Sequence, residues 1–167
     1  ATIPFTRNVI GPMDYTPCTF SDSQHPHITT NAHELALTVL YESALQHLAD
    51  KPESYLAQPQ EVQDFLSNLP TVWDETIVLD GKVGDYIITA RRKGDTWYVG
   101  AMTDWTERDL KVDLSKLFEG KVNVEAWQDG KVAHKFGNDY QKKTYTAEGI
   151  LTVHLAPGGG WAAIITK

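Results

Sequence analysis

The chain has 167 residues with 22 acidic and 15 basic side chains; its formal charge of −7 argues against a nucleic-acid binder, whose phosphate contacts need a basic face. An apolar share of 41% and a charged share of 22% exclude a disordered tail, and no run approaches the roughly 20 apolar residues of a membrane-spanning helix. The single cysteine, Cys18, excludes an internal disulfide, and at roughly 150 residues per domain the length fits one domain or two small ones.

The chain opens almost inside an apolar, β-prone phrase, Thr2-Ile3-Pro4-Phe5-Thr6. So abrupt a start points to a fragment or a processed product. From Ala32 the apolar residues Leu35, Ala36, Val39, Leu40, Ala44 and Leu48 keep the spacing of an amphipathic helix. Asn31 reads as its N-cap, with Glu34 reaching back as in a capping box. Pro52 ends the segment, and Ser43–Ala49 reads either as more helix or as a short buried strand at Leu45–Leu48. A shorter helix follows, with Pro59 in its first turn, one apolar face at Val62, Phe65, Leu66 and Leu69, and a stop at Pro70.

Beyond Pro70 the period changes from 3.6 to 2. Tyr86–Ala90 and Trp97–Met102 flank Lys93-Gly94-Asp95 as a hairpin. Leu110, Val112 and Leu114, then Val122, Val124 and Ala126, alternate with polar residues as half-buried antiparallel strands do. Asp80-Gly81 and Asp129-Gly130 read as tight turns. Ile150–Leu155 and Trp161–Thr166 close the chain, and this series of short strands predicts a β-sandwich. The helical half holds too few elements to enclose a core. Its strands and helices need neighbours from the second half, from another chain or from sequence not present.

The densest polar cluster is the phrase from Pro4 to Pro17. Arg7 suits a carboxylate or sugar hydroxyls, Asp14 suits hydroxyl binding or acid–base work, and Tyr15 can stack or donate. The plainer reading is a tight loop held by an Arg7–Asp14 pair. His25, His27 and His33 lack partners at ligand spacing and read as two loop histidines plus a helix-surface one; His47, in an apolar setting, reads as buried. Asp74 and Glu75 are adjacent and so poorly placed for two-carboxylate glycoside hydrolysis; they read as a junction anchor. Trp105, Trp127 and Tyr140 read as core and strand residues, with a sugar-stacking platform as the alternative. Gly158-Gly159-Gly160 opens no helix, which argues against a phosphate loop.

The phrase Pro4-Phe5-Thr6-Arg7-Asn8-Val9-Ile10-Gly11-Pro12-Met13-Asp14-Tyr15-Thr16-Pro17 resembles one near the end of the catalytic barrel in glycoside hydrolase family 97, bacterial α-glucosidases and α-galactosidases. Thr30-Asn31-Ala32-His33-Glu34-Leu35-Ala36-Leu37 resembles the barrel helix that follows. Pro70–Thr76 and Ala90–Tyr98 resemble the junction and first strands of the family's C-terminal sandwich. The resemblance implies an α+β fragment: residues 1–70 as the last β/α units of a (β/α)8 barrel, residues 71–167 as an antiparallel β-sandwich. It also implies a final barrel strand at Leu45–Leu48 and a final barrel helix at Pro59–Leu69.

The family's catalytic carboxylates and calcium-holding glutamates lie upstream of this phrase, so no catalytic or metal residue is carried onto this sequence. What carries over is position: Arg7, Asn8, Asp14 and Tyr15 are expected at the substrate face of the barrel, where strands end. The implied parent is an α-glycosidase acting on oligosaccharides, with calcium as its cofactor and a periplasmic or secreted location. The chain itself is expected to be inactive, to need the missing barrel as its partner and to self-associate through an open apolar stripe, Leu35–Leu40, and the exposed edges of its barrel strands. The rival readings are a non-catalytic carbohydrate-binding module and a purely structural β-sandwich.

Overall fold

The computed structural model describes residues 1–22, 26 and 28–167. The predicted strands at Tyr86, Trp97, Leu110, Val122, Ile150 and Trp161 all form, and two more join them. In chain order they are β1 (Glu75–Lys82), β2 (Tyr86–Lys93), β3 (Thr96–Thr103), β4 (Arg108–Asp113), β5 (Val122–Asp129), β6 (Tyr140–Ala147), β7 (Ile150–Leu155) and β8 (Gly160–Thr166). Every pairing among them is antiparallel. Six strands form one sheet in the order β1-β2-β3-β8-β5-β6, and β4 with β7 forms a two-stranded second sheet.

The chain before β1 supplies helices: α1 (Arg7–Ile10), α2 (Asn31–Leu40), α3 (Pro52–Leu56) and α4 (Gln60–Asn68). None among the described residues is long and apolar enough to cross a membrane. The six-stranded sheet is covered on both faces. Val99, Ala101, Trp161 and Ala163 pack towards Leu110, Val112, Val153 and Leu155 of the small sheet. On the other face Ile87, Tyr98, Met102, Trp127 and Ala162 meet Leu35, Ala36, Val39 and Leu40 of α2 and Val62 and Phe65 of α4, so the Leu35–Leu40 stripe expected to lie open is covered by the sheet. Double coverage explains why β3 is buried continuously from Trp97 to Thr103, where a half-buried strand would alternate.

Several local readings change. The N-cap of α2 is Thr30, whose hydroxyl accepts from the His33 amide at 3.1 Å, so Asn31 is the first helical residue. That moves Glu34 one place beyond capping-box range. Its carboxylate instead accepts from the amides of Cys18 (3.1 Å) and Thr19 (3.4 Å) and from the Thr29 hydroxyl (3.0 Å), tying down the preceding loop. Pro52 stops nothing; it starts α3. Asp80 and Gly81 lie inside β1, beside a register shift, and position 81 needs glycine because a side chain there would meet the Phe5 ring at 2.7 Å. The turn falls at Gly84, which takes a positive φ of 86°. Asp129 ends β5, and the link to β6 is a long loop over residues 130–139 and not a tight turn.

Helix α2 ends at Leu40 because the carbonyls a longer helix would use are already occupied. Gln46 Nε2 donates to the Thr38 carbonyl at 2.9 Å, and buried Arg91 donates to Val39 (2.6 Å) and Leu40 (3.3 Å). The guanidinium also favours the negative end of the helix dipole. Arg91→Ala is therefore expected to cost about 1.5–3 kcal/mol, the range for hydrogen bonds to a charged group. Urea unfolding of the variant checks this; an unchanged midpoint would reject the capping role.

Candidate functional site

Thr2–Thr6 is not a strand. Pro4 sits in the first turn of a short 3₁₀ segment, Ile3–Phe5, and the Thr6 hydroxyl donates back to the Thr2 carbonyl at 3.0 Å. One turn of α1 follows, and the chain then turns at Gly11. Arg7 is exposed and braces this turn, donating to the carbonyls of Gly11 (3.2 Å) and Pro12 (3.3 Å). It makes no pair with Asp14; its guanidinium holds the turn through backbone carbonyls instead. Asn8 Nδ2 donates to the Glu42 carbonyl at 3.3 Å, while its Oδ1 is buried without a partner.

Residues 13–17 run beside residues 42–49. The Met13 amide donates to Glu42 (3.0 Å), His47 to the Tyr15 carbonyl (3.2 Å) and Ala49 to Pro17 (3.1 Å). Tyr15 and Gln46 form one parallel bridge. Leu45–Leu48 is thus an extended, largely exposed segment with a single bridge rather than a buried strand, and His47 is exposed, not buried. Together Asp14, Tyr15, Thr16, Leu45 and His47 line a hollow of about 140 Å³. Arg7 and Asn8 do not line it; they shape the loop that leads there. The Tyr15 ring meets Tyr41 edge-on with centroids 4.7 Å apart. Burial, then the charge of Glu34, pushes its phenol above the usual tyrosine range, so it stays a hydrogen-bond donor. Proton donors and acceptors in one hollow suit a hydroxyl-rich ligand. Local sequence gives no sign of His47 and Leu45 here; only the lateral pairing brings them in.

The other candidates fall elsewhere. Asp74 accepts from the Gly94 amide at 2.8 Å and Glu75 pairs with Arg92 at 3.1 Å, so both anchor the β2–β3 hairpin. The three aromatic candidates form no common platform. Trp127 is 1% exposed, its ring 4.8 Å from that of Phe65; Trp105 is 62% exposed against Gly158; and Tyr140 is half-buried. The glycine loop has no free amides for a phosphate. Those of Gly158, Gly159 and Gly160 go to Asp104 O (2.7 Å), Ala156 O (2.8 Å) and Asp129 Oδ2 (3.1 Å). His33 is buried in α2 with Nδ1 3.1 Å from the Gly159 carbonyl oxygen, which places it at this junction and not on a helix surface. His25 and His27 lie outside the described residues. Among the described residues no three His, Cys, Asp or Glu side chains converge.

Residues 72–166 match the family domain described as "Glycosyl-hydrolase 97 C-terminal, oligomerisation". The chain belongs to glycoside hydrolase family 97. A retaining α-galactosidase of Bacteroides thetaiotaomicron is 46% identical over 175 residues, an alignment covering 96% of this chain and 26% of that protein. The structure of a family 97 enzyme from Pseudoalteromonas sp. strain K8, in complex with acarbose, superposes with a TM-score of 0.89 at 35% identity, over 99% of this chain and 28% of the other. A β-arabinopyranosidase structure follows with a TM-score of 0.83 at 31% identity, over 98% and 26%. The chain thus spans about a quarter of the length of these three proteins.

Proposed function

We propose that this chain is the C-terminal part of a retaining α-galactosidase acting on oligosaccharides, supplying support while the chemistry lies in the rest of the enzyme. The observation that carries the reading is the 46% identity to a retaining α-galactosidase across 96% of the chain. In a retaining glycosidase two carboxyl groups about 5–5.5 Å apart act as nucleophile and as acid then base. We place both outside these 167 residues, together with any calcium the family resemblance implies. Residues 1–70 are read as the end of a (β/α)8 barrel and 71–167 as its C-terminal sandwich. Two parallel segments, 13–17 and 42–49, joined through α2 support that reading, since parallel neighbours need such a crossover. In it, Asp14 and Tyr15 meet sugar hydroxyls at the strand-end face while Arg7 and Asn8 hold their loop. A periplasmic or secreted location belongs to the same proposal.

The test is turnover of an aryl α-galactoside. The whole enzyme is expected to hydrolyse it with retention, read by NMR as the first anomer formed, and this chain alone to release no aglycone above buffer. Hydrolysis by the chain alone would overturn the division of labour, and inversion by the whole enzyme would overturn the retaining assignment.

A second role, subunit assembly, is favoured by the description of the matched domain. Strand β1 ends the large sheet and exposes Val78. Sedimentation analysis of the whole enzyme decides it: a monomer at micromolar concentration removes this role.

A further inference from the structure

We propose that the groove between the N-terminal ends of α2 and α4 and strand β6 binds a neutral pyranoside. Phe20, Asn31, Gln58, Glu61, Tyr140 and Lys142 line it, around about 400 Å³, within the roughly 300–1,000 Å³ of small-ligand sites. Asn31 is the first residue of α2 and only 4% exposed. Its backbone amide is used, donating to the Gly137 carbonyl at 2.8 Å, but its carboxamide makes no hydrogen bond among the described residues. The Tyr140 hydroxyl is buried without a partner among the described residues. Folded proteins pair nearly all buried polar groups, so the Tyr140 hydroxyl calls for a partner, and the Asn31 carboxamide on the same groove is open to one. A sugar hydroxyl both donates and accepts, which suits an amide and a phenol alike.

Charge selects against an anion. Lys142 is engaged, 3.1 Å from the Glu125 carboxylate and 5.3 Å above the Trp127 ring, so among the described residues no uncommitted cation faces the groove. Glu61 adds a carboxylate to its lining. Burial, and then the charge of Glu61, pushes the Tyr140 phenol up to about 12, which keeps it a donor throughout the neutral range. Phe20 and the Tyr140 ring supply the apolar walls that the C–H face of a pyranose requires.

Choosing a galactoside as probe rests on the proposed function, whereas the groove's chemistry does not. Methyl α-D-galactopyranoside and methyl α-D-glucopyranoside are each titrated into the protein, followed by NMR. Saturable binding is expected, weakened about tenfold or more by Tyr140→Phe and by Asn31→Ala, a loss of one strong polar contact or about 1.4 kcal/mol. Tyr140→Phe removes a single oxygen that bonds to nothing among the described residues, so its fold is checked by circular dichroism and stands even where Asn31→Ala unfolds. Binding of the glucoside alone supports the groove and counts against a galactoside-specific enzyme, so the two readings fail separately. Binding of neither sugar, binding indifferent to Tyr140→Phe, or competition by inorganic phosphate would overturn the proposal.

Discussion

Gly160→Val is expected to lower the unfolding free energy by about 3 kcal/mol, the upper end of the usual range for overpacking a core. At about 2–4 °C per kcal/mol for a chain of this size, the midpoint should fall by about 6–12 °C. The first atom of any side chain at Gly160 would stand 2.4 Å from His33 Cα, 2.7 Å from His33 N and 2.8 Å from Ala32 O. All three are backbone atoms of α2, so no rotamer change relieves the clash. The helix must lift from the sheet. Gly100 makes a similar approach further along, 2.9 Å from Ala36 O, so the two glycines form the floor on which α2 lies. Calorimetry of the variant checks this, and a midpoint within 2 °C of the parent would mean that α2 contributes little to stability.

The second large effect is a loss of stability as pH rises. Asp129 is 4% exposed; burial pushes its carboxyl up from 3.8 to about 6, although the Thr30 hydroxyl and the amides of Ala156 (2.9 Å) and Gly160 pull the other way. Between those two values the folded state keeps a proton that the unfolded chain has released. The Asp129 contribution to stability is therefore greatest near pH 4 and below, falls as pH rises through 6, and levels off above. A shift of two units amounts to about 3 kcal/mol. Asp129→Asn keeps an oxygen for the two amides and cannot ionise, so its unfolding free energy should be flat over the same interval. Asp104, held at about 2 by Arg108, and Asp50, where hydrogen bonds from Ser21, Lys51 and Phe20 outweigh burial to give about 2, act with the opposite sign and only below about pH 4. Urea unfolding at pH 4, 5, 6 and 7 separates the windows. A wild-type profile without a fall from pH 4 to 6 would reject the protonated Asp129.

What the sequence discloses depends on the range over which each feature is decided. Alternation at Leu110, Val112, Val122 and Val124 is a local property, and those strands are where it puts them. The family phrase from Pro4 to Pro17 is a contiguous string, so it announces family 97 without any folding argument. Features decided by distant partners stay hidden. The end of α2 is set by Arg91, 51 or 52 residues away from the carbonyls it holds. Gly81 looks like turn chemistry, yet it answers to the Phe5 ring. Thr30 and Asn31 are both good caps, and the extended backbone at Thr30 (φ −79°, ψ 159°) decides between them. In the same way, Asp14 and Tyr15 stand out as a polar pair, but the hollow they share with His47 exists only once residues 13–17 and 42–49 lie side by side.

The double coverage of the large sheet has a consequence for how this piece of protein is inherited. Sequence similarity to the family domain begins at residue 72, yet α2 and α4, which shield one face of the sheet, precede that point. A recombination event that carried residues 72–166 into a new gene would deliver Ile87, Tyr98, Met102, Trp127 and Ala162 bare to water. Such a transplant would survive only where the host supplied a replacement helix for Gly100 and Gly160 to receive. The sandwich is in that sense not a free module. Its lineage is bound to the helical segment ahead of it, and substitutions along α2 and along the facing strands should be selected jointly.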